Sequence, residues 1–258
     1  MSIVVSNKQK IHYELAGDKG PWMVLHPPHL IPMSAWKKEG YVRQLENDFR
    51  LVIVEPLGQG LSDAPLDPSH YTIPSRIRHI LDIMREVQAD FTFFFGVGLG
   101  AQVGFQMSKE FPRRIRSLIS VGAQPYQELE EVKYLTEKLD KLRSGKVSDY
   151  LQQWHSLDHL SEDQEKLIIE GNSEAYALGL EASVNWIGLG DDLQSMGTTI
   201  LLFTAKAEPR FLSVRDAGKR LRNGSYVILP KVVHSHGLWS SDLIIKHLME
   251  FTHRERPN

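Results

Sequence analysis

No cysteine occurs among the 258 residues, and that one absence removes disulfides, thiolate metal sites and cysteine nucleophiles together. Long apolar runs are missing as well. None approaches the ~20 residues needed to cross a bilayer, and the opening Met1-Ser2-Ile3-Val4-Val5-Ser6-Asn7-Lys8 carries no signal-like apolar stretch. Nor is there an excess of charge of either sign. The 30 Lys and Arg stand against 32 Asp and Glu, a net charge of −2. The two signs are interspersed, which leaves no footprint for a phosphate backbone or an anionic membrane. These absences set the expectation of a soluble, cytoplasmic protein with no nucleic-acid and no membrane partner.

What is present is an alternation. Short apolar runs near 3–5, 11–15, 22–25, 51–54, 91–95, 116–121, 199–203 and 225–229 read as strands, most of them separated by helical patterns. The alternation predicts an α/β protein with an eight-stranded, mostly parallel sheet and helices on both faces. The start should be antiparallel, where no helix intervenes. A chain of this length can bury one sizeable core, so residues 1–258 are expected to form a single domain. Between about 126 and 190 the pattern changes to charged helices, Glu128 to Leu142 being rich in Glu and Lys, and this stretch is expected to be a helical lid inserted in the domain.

Phe91-Thr92-Phe93-Phe94-Phe95 is an apolar run of β-formers, as a strand buried on both faces requires. Leu99, Val103, Phe105, Met107 and Phe111 are spaced over a helical face, and Pro112 stops that helix. Between the two lies Gly96-Val97-Gly98-Leu99-Gly100. The outer glycines let strand and helix backbones approach at a sharp turn, and Gly98 can take dihedrals that side chains disfavour.

From here the chain resembles the α/β-hydrolase superfamily. Trp22-Met23-Val24-Leu25-His26 is similar to the strand that ends in His-Gly. Val54-Glu55-Pro56-Leu57-Gly58-Gln59-Gly60-Leu61-Ser62-Asp63 is similar to the Asp-x-x-Gly-x-Gly-x-Ser loop. Gly96 to Gly100 resembles the Gly-x-Ser-x-Gly nucleophile elbow, and Glu110-Phe111-Pro112-Arg113-Arg114-Ile115 the segment after it. The likeness covers nearly the whole length except about 126–190. It implies the α/β-hydrolase fold, with ligands at the carboxyl ends of the strands, and it puts Gly98 where the nucleophilic serine would stand.

The resemblance also implies the rest of a site. After the last strand, Val232-Val233-His234 matches the position of the catalytic histidine, with His236 as the alternative base across Ser235. Glu208, beside Pro209, matches the acid. The loop after His26 should supply an oxyanion donor, but Pro28 has no N–H to give, which leaves the Leu99 N–H. His26, Pro28, His29 and Leu99 are thus expected to border the substrate. No metal and no cofactor are expected.

Glycine has no atom that can form a covalent intermediate, so the chain as written is not expected to be a Ser-dependent hydrolase. Three readings stay open. A His234/Glu208 dyad could act as a general base in lyase, hydration or C–C cleavage chemistry without a covalent intermediate. A catalytically inactive pseudo-hydrolase could sense a ligand or bind a partner. Third, an esterase-like hydrolase could have been inactivated by a Ser-to-Gly change. In each the expected ligand is a small, largely apolar organic molecule in a lidded pocket.

Overall fold

The computed structural model describes residues 2–155, 162–206, 210–229 and 241–255. Eight strands form one sheet: β1 (Ser2–Ser6), β2 (Gln9–Ala16), β3 (Trp22–His26), β4 (Arg50–Val54), β5 (Thr92–Val97), β6 (Ile115–Val121), β7 (Thr199–Ala205) and β8 (Gly224–Leu229). Their spatial order is β1-β2-β4-β3-β5-β6-β7-β8. β1 pairs antiparallel with β2 and β2 with β4, while every other neighbouring pair is parallel. The antiparallel start follows from the two-residue link at Asn7 and Lys8. Both have positive φ, +48° and +66°, the hand of turn that matches the twist of a hairpin.

β5 explains why an unbroken aromatic run can be a strand. Successive side chains leave a sheet on opposite faces, so Phe93 and Phe95 enter one core and Phe94 the other. On the first face lie α1 (Ser34–Lys38), α2 (Tyr41–Leu45) and α10 (Ser241–Arg254), which contribute Trp36, Tyr41, Ile244 and Leu248. On the second lie α3 (Ile73–Glu86), α4 (Leu99–Glu110) and α9 (Phe211–Arg220), contributing Ile77, Val103, Phe105 and Val214. Trp36 is fully buried edge-on to Tyr41 and Phe95 at 5.1 and 5.0 Å, so it serves packing.

Among the described residues four more α-helices stand between β6 and β7: α5 (Leu129–Arg143), α6 (Val147–His155), α7 (Glu162–Ile169) and α8 (Ser173–Val184). The chain leaves the sheet and returns to it through paired backbone. Tyr126 bridges Gly188 antiparallel, and the Leu189 N–H donates to the Pro125 carbonyl at 2.7 Å. The Asn172 side chain caps α8 by accepting from the Glu174 and Ala175 N–H groups at 3.1 Å. Among the described residues no helix is long and apolar enough to cross a membrane.

Candidate active site

Gly98 joins β5 to α4 at φ +53°, ψ −118°, a conformation essentially reserved for glycine. Its N–H donates to the Val121 carbonyl of β6 at 3.0 Å, and its own carbonyl accepts from Ala101 and Gln102. The turn is tight because nothing separates the backbones it joins. A Cβ on Gly96 would lie 2.5 Å from the Gly100 carbonyl carbon, and a Cβ on Gly100 would lie 2.4 Å from the His26 carbonyl oxygen. Gly98 is different. A Cβ there would meet only Pro28, its Cβ at 3.4 Å, which is ordinary contact.

His26 ends β3 beside Gly96 and is buried. Its Nδ1–H donates to the Pro27 carbonyl at 3.0 Å, and the ring stacks on Phe94. Burial, then Arg76 and His79, hold it down to about pKa 3, with the Pro27 bond pulling the other way. It is a neutral ring wedged under the elbow.

The loop that follows, Pro27-Pro28-His29-Leu30, ends with Leu30 buried in the left-handed region at φ +64°. The loop's fixed course sets Pro28 and His29 against the elbow. His29 is buried and edge-on to Tyr150, and among the described residues neither ring nitrogen makes a hydrogen bond of good geometry. Burial, then Arg76 and Lys138, depress it to about 3, weakly opposed by the Tyr176 backbone.

Pro28, His29, Gly98 and Leu99 come together on the wall of a cavity of about 90 Å³. His26 does not line it. The floor is completed by Gly122 and Ala123 after β6, and the roof by Leu135 and Lys138 of α5, Tyr150 of α6 and Leu180 of α8. Because α4 begins at Leu99, the helix N-terminus faces this space, and among the described residues the Leu99 N–H has no acceptor. Among the described residues the one acid on the wall, Glu131, is taken. It pairs with Arg210 at 2.6 Å and accepts from the Gln124 amide at 3.1 Å, both ionic side chains being nearly buried. Lys138 is half-buried, its ammonium 4.0 Å from the Tyr134 ring centroid and 5.5 Å from that of Tyr150. Burial, then Arg210 and Lys141, bring it down to about 7.

His234, His236 and Glu208 lie outside the described residues. The residues that sequence reasoning passed over are Glu131, Lys138 and Arg210. A signal for two of them exists in α5, where 131, 135, 138 and 142 repeat at helical spacing. Leu135 and Leu142 mark that stripe as inward, so Glu131 and Lys138 are charges on a buried face.

Residues 28–162 match the model of the alpha/beta hydrolase fold family. The chain belongs to that family. Among relatives of this alpha/beta hydrolase fold protein is the putative 2-succinyl-6-hydroxy-2,4-cyclohexadiene-1-carboxylate synthase of Bacillus subtilis. It is 20% identical over 234 residues, which cover 82% of this chain and 84% of that one. Among solved structures, the enol-lactonase of Burkholderia xenovorans superposes with a TM-score of 0.83 at 19% identity, over 97% of this chain and 99% of that one. A hydrolase of Pseudomonas aeruginosa gives 0.82 at 17% identity, over 96% and 97%. At these identities the structural likenesses speak to fold alone.

Proposed function

We propose that this alpha/beta hydrolase fold protein carries glycine in place of the elbow nucleophile, performs no Ser-dependent acyl transfer and binds a small molecule beneath Gly98. The observation that carries the reading is the place of Gly98, between β5 and α4 and on the wall of the cavity under α5, α6 and α8. Where a serine oxygen would have to stand there is only a methylene, and acyl-enzyme chemistry needs that oxygen. Pro28 beside it supports the same conclusion, since an imide nitrogen has no hydrogen to donate to an oxyanion.

In this reading residues 126–190 act as a lid within a single domain, and His234 with Glu208 serves as a general base, His236 being the alternative. A carboxylate fixes the tautomer of an imidazole and supports its protonated form whether or not a serine is present. The dyad would abstract a proton from the ligand or from a water, in lyase, hydration or C–C cleavage chemistry. One observation favours a second reading, a non-catalytic ligand sensor. A cavity of about 90 Å³ falls below the roughly 300–1,000 Å³ of most small-molecule sites.

The deciding experiment is intact-mass analysis after exposure to a fluorophosphonate probe, alongside turnover of simple activated esters. Neither labelling nor efficient turnover is expected. Stoichiometric labelling at any serine would overturn the reading, because it demands an activated hydroxyl.

A further inference from the structure

We infer that the cavity beneath Gly98 takes a ligand bearing a carboxylate, held by the Lys138 ammonium, the His29 ring and the Leu99 N–H. The inference rests on the reading that this cavity binds a small molecule, and it names the chemistry of that molecule.

The wall carries donors that have no acceptor among the described residues. Lys138 offers three N–H groups, and among the described residues no carboxylate lies within ion-pair range of them. Aromatic faces attract an ammonium, yet they leave its hydrogens largely unsatisfied. His29 is buried, among the described residues neither ring nitrogen makes a hydrogen bond of good geometry, and a neutral imidazole always carries one N–H. The Leu99 N–H opens α4, where the helix dipole adds positive potential. Glu131, the one acid on the wall among the described residues, is already committed to Arg210 and Gln124.

Charge points the same way. Behind His29 lies Arg76, fully buried and bonded among the described residues to carbonyls alone, those of Tyr71 at 3.1 Å and Gly179 at 3.4 Å. Its Nη1 has no partner among the described residues. Among the described residues neither Arg76 nor Lys138 has a carboxylate partner, and cations withdrawn from water are costly unless an anion joins them. A carboxylate is planar and accepts several hydrogen bonds at once, which suits donors arriving from α5, from the loop after β3 and from α4. Leu135, Leu180 and Ala123 remain for its carbon skeleton, and the cavity of about 90 Å³ restricts that skeleton to a short one.

The test compares butyrate with butyramide, nearly identical in shape, by ligand-observed NMR titration of the full chain, with inorganic phosphate as a third arm. Butyrate is expected to bind tighter than butyramide by roughly tenfold or more, the worth of a charge-assisted hydrogen bond. Lys138→Met should abolish that preference and Lys138→Arg should keep it, thermal unfolding confirming that each variant is folded. Should Lys138→Met fail to fold, His29→Gln replaces it and should weaken butyrate while sparing butyramide. Equal binding of acid and amide, both lost on filling the cavity with Ala123→Leu, would leave the ligand site standing and overturn the anion. Binding of phosphate but not butyrate would overturn the carboxylate. Binding of none of the three would overturn both readings.

Discussion

Pro28 and Gly98 face each other across van der Waals distance, so that a Cβ built on Gly98 would rest 3.4 Å from the Pro28 Cβ. A serine would fit the space, and only its backbone would be strained, because φ stays at +53°. In the proposed function the two residues are separable defects of one site, Gly98 lacking an oxygen and Pro28 a hydrogen-bond donor.

Gly98→Ser should fold, with a stability loss of about 1–3 kcal/mol from the left-handed backbone, and should remain a poor esterase. Loss of a serine from an otherwise intact hydrolase costs on the order of 10⁶ in turnover, so its return alone might promise full rescue. With Pro28 withholding a donor, a deficit of about 10²–10³ should persist. Gly98→Ser with Pro28→Ala should exceed the product of the single changes. Ester-hydrolysis rates of the parent, both single variants and the double decide the matter. If Gly98→Ser alone reaches ordinary esterase rates, Pro28 is irrelevant to the hole.

The sheet and the turn that carries Gly98 were legible because local signals agreed with the global fold. Phe91 to Phe95 had β-formers, the glycines had a turn's spacing, and Pro112 ended a helix whose last residue is Glu110. The charged side of the cavity was not legible. Lys138 and Glu131 read as members of a charged helix, and nothing local says that α5 turns that face toward Gly98. Only the packing of α5 on α8 and over the loop after β6 does so. His26 and His29 read alike as pocket histidines. Their difference lies in the single hydrogen bond from His26 to Pro27, which a one-dimensional pattern does not encode. The short helices α1 and α2 also went unread, since five residues are too few to establish a period.

Glu55 at the end of β4 is expected to be the main polar anchor of the sheet's antiparallel side. Its carboxylate accepts from the His12 Nδ1–H at 2.8 Å and from the Leu61 N–H at 2.7 Å. Ser62 closes the knot, its hydroxyl accepting from the His12 backbone at 2.9 Å and donating to the Glu55 carbonyl at 2.6 Å. Glu55→Ala strands a buried histidine and a backbone donor, and should cost about 3–5 kcal/mol. Ser62→Ala should cost about 1–3 kcal/mol. Urea unfolding measures both. A loss under 1 kcal/mol for Glu55→Ala would show that β2 does not depend on this carboxylate.

Acid should unfold the protein earlier than its carboxylates alone would require. His26 and His29 are held at about 3 and His79 at about 4, in each case by burial first and Arg76 second. All three lie below the ordinary value of 6.5, so between about pH 4 and 6.5 the unfolded chain binds protons that the native chain refuses. Their contribution is complete above that range and is lost as the pH falls through it. Each histidine adds a slope of up to about 1.4 kcal/mol per pH unit, and the three together about 4. Urea midpoints measured at pH 7.0 and 5.5 should therefore differ steeply. His79→Leu should flatten the dependence by roughly one third, because it removes one titrating ring from a buried site without leaving a polar atom behind. A pH-independent midpoint across this range would mean that water or a proton acceptor reaches these rings, and the dry, positively charged wall behind the cavity would have to be abandoned with it.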